Sequence, residues 1–307
     1  MSKLAFVFPG QGSQQVGMLA DAEAELAPIF QRASEVLGYD LWKLVQKGPE
    51  EKLNQTEFTQ PALLTVSVGL WHLAEQQGAN PDVVAGHSLG EYSALVAAKV
   101  LSFEDAVALV QQRGRFMQSA VPLGEGSMAA ILGLEDDQVI AICAAEAGDQ
   151  VISAANFNSP GQIVVAGNVA ALARVIDACK SAGAKRAMQL SVSAPFHCAL
   201  MQPAADQMAE ILANIAFQET QIKIVQNVSA DYPKSVDEIR ENLISQMSSA
   251  VLWSGTIRKI LAGDVSHIIE CGPGKVLSGL NRRIDKSIES ENISSLESLT
   301  AVVEGFQ

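Results

Sequence analysis

Two rhythms of apolar and polar positions run along this chain of 307 residues. Short runs rich in β-branched and aromatic residues predict strands, and apolar positions recurring every three or four residues predict helices. Lys3 to Phe8 predicts a buried strand, and Pro9-Gly10-Gln11-Gly12-Ser13-Gln14 a loop behind it. Asp21 to about Val45 predicts helix with a turn at Gly38. Gln60-Pro61 predicts the start of another helix reaching about Gln76, with Pro61 at the first position, where a missing N–H leaves no bond unmade. An apolar run ending at Ala85 predicts a strand, and an Ala- and Leu-rich pattern after Gly90 predicts a helix. Ser102-Phe103-Glu104-Asp105 has the form of a capping box for a helix over Ala106–Ala120.

From Gly126 the texture changes. Strand Ser127–Leu132, helix Glu135–Ala145, strand Val151–Asn156, a turn at Asn158-Ser159-Pro160-Gly161, strand Gln162–Ala166, helix Val169–Ala182 and strand Ala187–Ser193 follow. This β-α-β-β-α-β order is the ferredoxin-like split arrangement, so residues 125–194 are expected to form an inserted α+β subdomain. Residues 1–124 and 195–307 then form one discontinuous larger unit. Its later part predicts a helix from about Ala199 to Asn214, a strand Ile222–Val228, helices Val236–Ser248 and Trp253–Leu261, and a strand His267–Glu270. A last helix follows Cys271-Gly272-Pro273-Gly274-Lys275, and the polar tail after Asp285 is expected to be loosely ordered. Strand–helix alternation in the outer segments implies a parallel α/β sheet, and the cleft beside the insert is the natural ligand site.

The sharpest local signal is Gly86-His87-Ser88-Leu89-Gly90 between strand and helix. The spacing G-x-S-x-G is that of a nucleophile elbow: the turn is so tight that side chains two residues either side of the serine would collide, while the hydroxyl stands clear. Amide N–H groups at the helix start face the same space. The alternative for Ser88 is a helix N-cap between two packing glycines. Two phosphate motifs fail. A dinucleotide fingerprint starting at Gly10 would need glycine where Gln15 stands, and a P-loop ending at Gly274-Lys275 would need glycine at Ile269 and Ser or Thr at Val276. Gln11, flanked by glycines, is placed to present its backbone N–H or its side-chain amide to a ligand, or else lies in an ordinary flexible turn.

Composition narrows the classes. Hydrophobic residues make up 48% and charged residues 18%, enough for a large core. The net charge of −13 argues against nucleic-acid binding, and an acidic partner would need a local basic patch. Lys185-Arg186, Lys275 and Arg282-Arg283 are candidates for one. The apolar N-terminal stretch is too short for a signal peptide and breaks at Pro9. No stretch approaches the roughly 18 uninterrupted apolar residues of a membrane span. Cys143, Cys179, Cys198 and Cys271 are far apart, which fits a reducing cytoplasm and neither zinc nor disulfides. Without a coiled-coil pattern the chain is expected to be a monomer.

An activated serine needs a base. His72 lies mid-helix and His267 in a strand; His87 adjoins Ser88 at a turn where neighbouring side chains diverge. His197, where the chain returns from the insert, is the best placed of the four histidines. Cys198 beside it reads as a second nucleophile or a small packing residue. An acid to orient the imidazole is not singled out, and a backbone carbonyl could do the same.

Phe8-Pro9-Gly10-Gln11-Gly12-Ser13-Gln14, Gly86-His87-Ser88-Leu89-Gly90-Glu91, Gln112-Arg113-Gly114, Asn156-Phe157-Asn158-Ser159-Pro160-Gly161-Gln162, Phe196-His197 and Gly272-Pro273-Gly274 occur in the order seen in a known family. Over nearly its whole length the chain resembles the malonyl-CoA:acyl carrier protein transacylases of bacterial fatty acid synthesis. It is also similar to the acyltransferase domains of polyketide synthases. The resemblance implies an α/β-hydrolase-like parallel-sheet core and a ping-pong transfer of malonyl from malonyl-CoA to the phosphopantetheine thiol of acyl carrier protein, with no permanently bound cofactor. It implies Ser88 as nucleophile, His197 as base and acid, and the Gln246 carbonyl as orienter. The backbone N–H groups of Gln11 and Leu89 would form the oxyanion hole. Arg113 would bind the malonyl carboxylate, with Asn156 and Phe196 on the substrate side; Phe196 would disfavour an α-methyl branch. Ala250 in Ser249-Ala250-Val251 departs from the family's proline there. A trans-acting acyltransferase for polyketide or polyunsaturated fatty acid assembly, a serine thioesterase and a non-catalytic scaffold are the other readings.

Overall fold

The computed structural model describes residues 3–305; Met1 and Ser2, at the start of the N-terminal apolar stretch, lie outside the described residues. In chain order, strand β1 (Lys3–Phe8) leads through a glycine-rich loop to helices α1 (Glu23–Leu37), α2 (Leu41–Lys47), α3 (Glu50–Leu53) and α4 (Thr56–Gln76). Strand β2 (Val83–Gly86), α5 (Gly90–Ala97) and α6 (Phe103–Ser119) follow. Then come β3 (Gly126–Leu132), α7 (Asp136–Glu146), β4 (Ile152–Ser159), β5 (Gln162–Asn168), α8 (Val169–Ser181) and β6 (Arg186–Gln189). The chain returns through α9 (Gln202–Leu212), β7 (Lys223–Val225), α10 (Val236–Ser248), α11 (Trp253–Leu261), β8 (Val265–Cys271), α12 (Val276–Ile284), β9 (Glu289–Ile293) and α13 (Leu296–Glu304).

Two sheets result. The larger has the order β7-β2-β1-β8-β9 and every pairing in it is parallel. The side chains of β1 explain why it is central. Leu4, Phe6 and Phe8 point into one apolar layer with α1, α4, α5 and α6, while Ala5 and Val7 point into the other with α11 and α12. A strand buried on both faces carries apolar residues at both phases of the period-two pattern. The smaller sheet, β4-β5-β3-β6, is antiparallel throughout and rests α7 and α8 on an apolar layer of its own. A bridge joins the two parts: Val251 N–H donates to Ala155 O at 2.9 Å, and Phe157 N–H to Val251 O at 2.9 Å. The path through Ser249-Ala250-Val251 is thus pinned by sheet-type bonds in the absence of proline.

Four expectations change. The tail after Asp285 is not loose. Ile288, Ile293, Leu299, Val302 and Val303 are buried, which seats β9 as the parallel edge of the larger sheet with α13 behind it. The helix expected to start at Gln60-Pro61 starts at Thr56, so Pro61 lies inside it. Strand β6 stops at Gln189, and residues 190–193 leave the sheet to line the cavity described below. Strand β7 stops at Val225, because Gln226 turns to pair with Asp231.

The topology fixes where chemistry can gather. Loops leave the carboxyl ends of β1, β2, β7 and β8 side by side, the usual ligand edge of a parallel sheet. Those loops carry Gln11, Ser88, Asn227 and Gly272.

Candidate active site

Ser88 sits between β2 and α5 at φ 53°, in the left-handed region that a side chain normally avoids. The glycines around it are required by contact. A Cβ on Gly86 would lie 1.9 Å from the Gly90 carbonyl carbon, and one on Gly90 would lie 2.0 Å from Phe8 O. The strained turn is stapled from the neighbouring loop. Asn227 Oδ1 accepts the Ser88 amide at 2.6 Å and Asn227 Nδ2 donates to Gly86 O at 2.6 Å. Such strain persists only where the surroundings over-determine it.

His197 is also left-handed, at φ 61°. Its Nε2 lies 2.7 Å from Ser88 Oγ, and its Nδ1 lies 2.8 Å from the backbone oxygen of Gln246. A carbonyl only accepts, so Nδ1 carries the proton and Nε2 is left as the acceptor of the serine proton. Burial, then the Arg113 charge, lowers the His197 pKa to about 3. The imidazole is therefore neutral and able to take a proton over the whole ordinary pH range.

Arg113 is fully buried. Nη1 donates to Gln60 Oε1 at 3.0 Å; Nη2 donates to Gln246 Oε1 at 2.7 Å and to Ser88 Oγ at 3.2 Å. Nε has no partner, and the guanidinium lies over the Tyr92 ring, 5.6 Å from its centroid. Among the described residues Arg113 forms no ion pair. A buried guanidinium in this state is costly unless an anion joins it.

A cavity of about 710 Å³ opens above these groups, lined by Gln11, Ser88, Asn156, Phe196, His197 and Leu280 among others. Arg113, Leu89 and Gln246 do not line it; they lie under Ser88. The Gln11 side chain is turned aside, accepting from Gln60 Nε2 at 3.1 Å and facing Thr56 Oγ1 at 3.4 Å. Its backbone amide and that of Leu89 have no acceptor among the described residues. Two of the other histidines are engaged elsewhere. His87 Nε2 meets Asn158 Oδ1 at 2.8 Å, and His267 Nε2 meets Glu291 Oε2 at 2.6 Å. Cys198 Sγ donates to Pro195 O at 3.1 Å, and burial pushes its thiol up to about 11, which removes it as a nucleophile.

Sequence reasoning missed Gln60, Asn227, Asn158 and the side chain of Gln246. Asn227 had one available signal, its position just past the carboxyl end of a strand in a parallel sheet. Gln60 and Gln246 lie inside helices with polar neighbours and carry no such mark.

Fold and site together define an α/β protein equipped for covalent acyl transfer through a serine. The acyl transferase domain family matches residues 5–301. Over 99% of this chain and 100% of the other, the sequence is 51% identical to a malonyl CoA-acyl carrier protein transacylase of Escherichia coli. The solved acyl carrier protein S-malonyltransferase of Vibrio cholerae superposes with a TM-score of 0.96 at 52% identity, covering 98% of this chain and 100% of that one. A malonyl-transacylase solved in complex with a type II PKS acyl-carrier protein gives 0.97 at 48% identity, over 99% and 100%. The chain belongs to the acyl transferase family, among the malonyl CoA-acyl carrier protein transacylases.

Proposed function

We propose that this enzyme moves a malonyl group from malonyl-CoA to the phosphopantetheine thiol of acyl carrier protein through an ester on Ser88. The observation that carries the reading is Arg113, a buried cation without an ion pair whose Nη2 is 3.2 Å from the reacting oxygen. An acyl group bonded to Ser88 Oγ that ends in a carboxylate can reach this guanidinium; an acetyl group offers it nothing. The same feature disfavours a general esterase or thioesterase. Docking of the carrier is assigned to the mouth of the cavity, where Lys275 and Val276 are exposed. Arg282 and Arg283 lie on the same helix but are partly engaged, donating to Ser290 O at 2.8 Å and to Gln162 Oε1.

The chemistry follows from the hydrogen bonds. Ser88 Oγ–H donates to His197 Nε2 while Oγ accepts from Arg113, so attack on the thioester carbon passes the serine proton to the imidazole. The tetrahedral oxyanion falls to the free amides of Gln11 and Leu89. Collapse breaks the C–S bond, and the imidazolium returns its proton to the departing CoA sulfur. The carrier thiol then repeats the sequence in reverse: its proton goes to His197, its sulfur attacks the ester, and Ser88 leaves reprotonated. Among the described residues no helix is long and apolar enough to cross a membrane, and no cluster of His, Cys, Asp and Glu could hold a metal ion.

The test is the intact mass of the protein after brief exposure to malonyl-CoA. Wild type gains one malonyl group and loses it to added carrier protein faster than to water. Ser88→Ala gains none. An adduct persisting in Ser88→Ala overturns the assignment, and CoA release without an adduct or carrier product makes the protein a hydrolase.

A further inference from the structure

One buried carboxylate stands behind the site without a part in the chemistry above. Glu91, on the first turn of α5, is 1% exposed. Every contact it makes is with a donor. Oε1 accepts from Gln226 Nε2 at 3.0 Å; Oε2 accepts from the Asn227 amide at 2.9 Å and from Gln246 Nε2 at 3.0 Å. Burial raises the Glu91 pKa, while the donors from Asn227, Gln226 and Gln246 and the Arg113 charge act against that rise. A protonated acid would also need an acceptor, and none is offered, so the hydrogen bonds favour the ionised form. The helix N-terminus favours the same charge.

Glu91 and Arg113 carry opposite charges beneath Ser88, yet they do not touch. The side chain of Gln246 lies between them, with Oε1 on Arg113 at 2.7 Å and Nε2 on Glu91 at 3.0 Å. Its orientation has no freedom: guanidinium has only donors and carboxylate only acceptors, so the amide must point its oxygen one way and its nitrogen the other. A carboxylate in direct contact with Arg113 would fill the fork meant for substrate. An interposed amide compensates the charge from one side chain away and leaves Arg113 Nε without a partner.

We infer that Glu91 is a positioning residue for acyl selectivity: acting through Gln246, it holds Arg113 against Ser88 and supplies the counter-charge that lets a bare guanidinium wait for the substrate carboxylate. This rests on the reading of Arg113 as the carboxylate reader. Glu91 also meets the Asn227 amide, so loss of its charge could act instead by loosening the elbow. The two effects differ in what they spare. Loss of the reader's support weakens transfer of malonyl and leaves the serine–histidine pair reactive toward uncharged reagents; a loosened elbow weakens both.

The experiment measures Ser88 acylation by malonyl-CoA and by acetyl-CoA, and the rate of inactivation by phenylmethylsulfonyl fluoride, in wild type, Glu91→Gln, Glu91→Asp and Arg113→Met. For Glu91→Gln the malonyl-over-acetyl ratio of kcat/KM falls at least tenfold, while inactivation stays within threefold of wild type. Glu91→Asp, which keeps the charge, retains most of the ratio. If Glu91→Gln does not fold, Glu91→Met of similar length must show the same split. An unchanged ratio, or equal losses with malonyl, acetyl and the sulfonyl fluoride, overturns the proposal. A ratio that survives in Arg113→Met overturns the carboxylate-reader assignment itself, a separate outcome.

Discussion

The two sheets bury different things. Beneath the antiparallel sheet lie Ala129, Ile131, Val139, Ile163, Val165, Leu172, Val175 and their apolar neighbours. Among the described residues no carboxylate, guanidinium or imidazole is buried between 126 and 193; the buried polar side chains there are Ser127, Asn156, Asn158 and Ser159. Around the parallel sheet Glu91, Arg113, His197, Gln226, Asn227, Gln246 and Glu270 are all buried. Desolvating such groups is unfavourable, so a fold that keeps them does so for something other than stability. The contrast separates an apolar layer under one sheet from an interior with buried charges around the other. Three of the polar side chains brace the site: Asn227 holds the turn, Gln246 holds the imidazole and the guanidinium, and Gln60 anchors the far side of the fork.

The largest break in this comparison is made with one substitution on each side. Asn227→Ala removes the staple on the elbow, and misplacement of Ser88 by about 1 Å is enough for losses on the order of a hundredfold. Steady-state acylation should fall by tens of times or more with malonyl-CoA and acetyl-CoA alike. Leu172→Ala empties a site in an apolar layer and costs about 2–5 kcal/mol of stability. Its melting temperature should drop by several degrees while the malonyl-over-acetyl ratio stays at the wild-type value. A change of selectivity in Leu172→Ala would show that the two parts are not separable in this way.

A smaller effect concerns protons. The His197 pKa is lowered from 6.5 to about 3 by burial and by Arg113. The imidazole therefore remains the neutral base as pH falls through the range where an exposed histidine would be protonated. The kcat/KM profile for acylation, which reports the free enzyme, should stay flat from pH 7 to 5. The same shift has a stability consequence: between 6.5 and about 3 the unfolded chain binds the proton that the folded chain refuses. Stability from this group is complete above pH 6.5 and is lost progressively below it. A half-point near 6.5 in the acylation profile would place His197 in a more solvated setting than the structure gives it.

Legibility in the sequence followed the same division. Residues 126–189 could be read element by element because each strand and helix has one buried face, and the period survives in the letters. The elbow was legible because its glycines answer a steric demand made within five residues. The tail was not: Glu289-Ser290-Glu291-Asn292-Ile293 is an edge strand whose polar residues outnumber its apolar ones, and its place is set by pairing with β8. Nor were Asn227, Gln60 and Glu91 legible as a network, because each is defined by a partner between 53 and 155 residues away, as in Gln60–Arg113 and Glu91–Gln246. Pattern reading reports which side faces the core; it does not report which polar groups the core has been arranged to receive.

A buried guanidinium under the serine, without a direct ion pair among the described residues, is what chooses the acyl group. The most direct measurement is the rate of Ser88 acylation by malonyl-CoA and by acetyl-CoA in wild type and Arg113→Met. Removing a charge partner of this kind costs on the order of 3–5 kcal/mol, or about a hundredfold or more. A loss of that size is expected with malonyl-CoA and little or none with acetyl-CoA. Equal losses with both donors would contradict it, making Arg113 a support for the serine rather than the reader of the substrate.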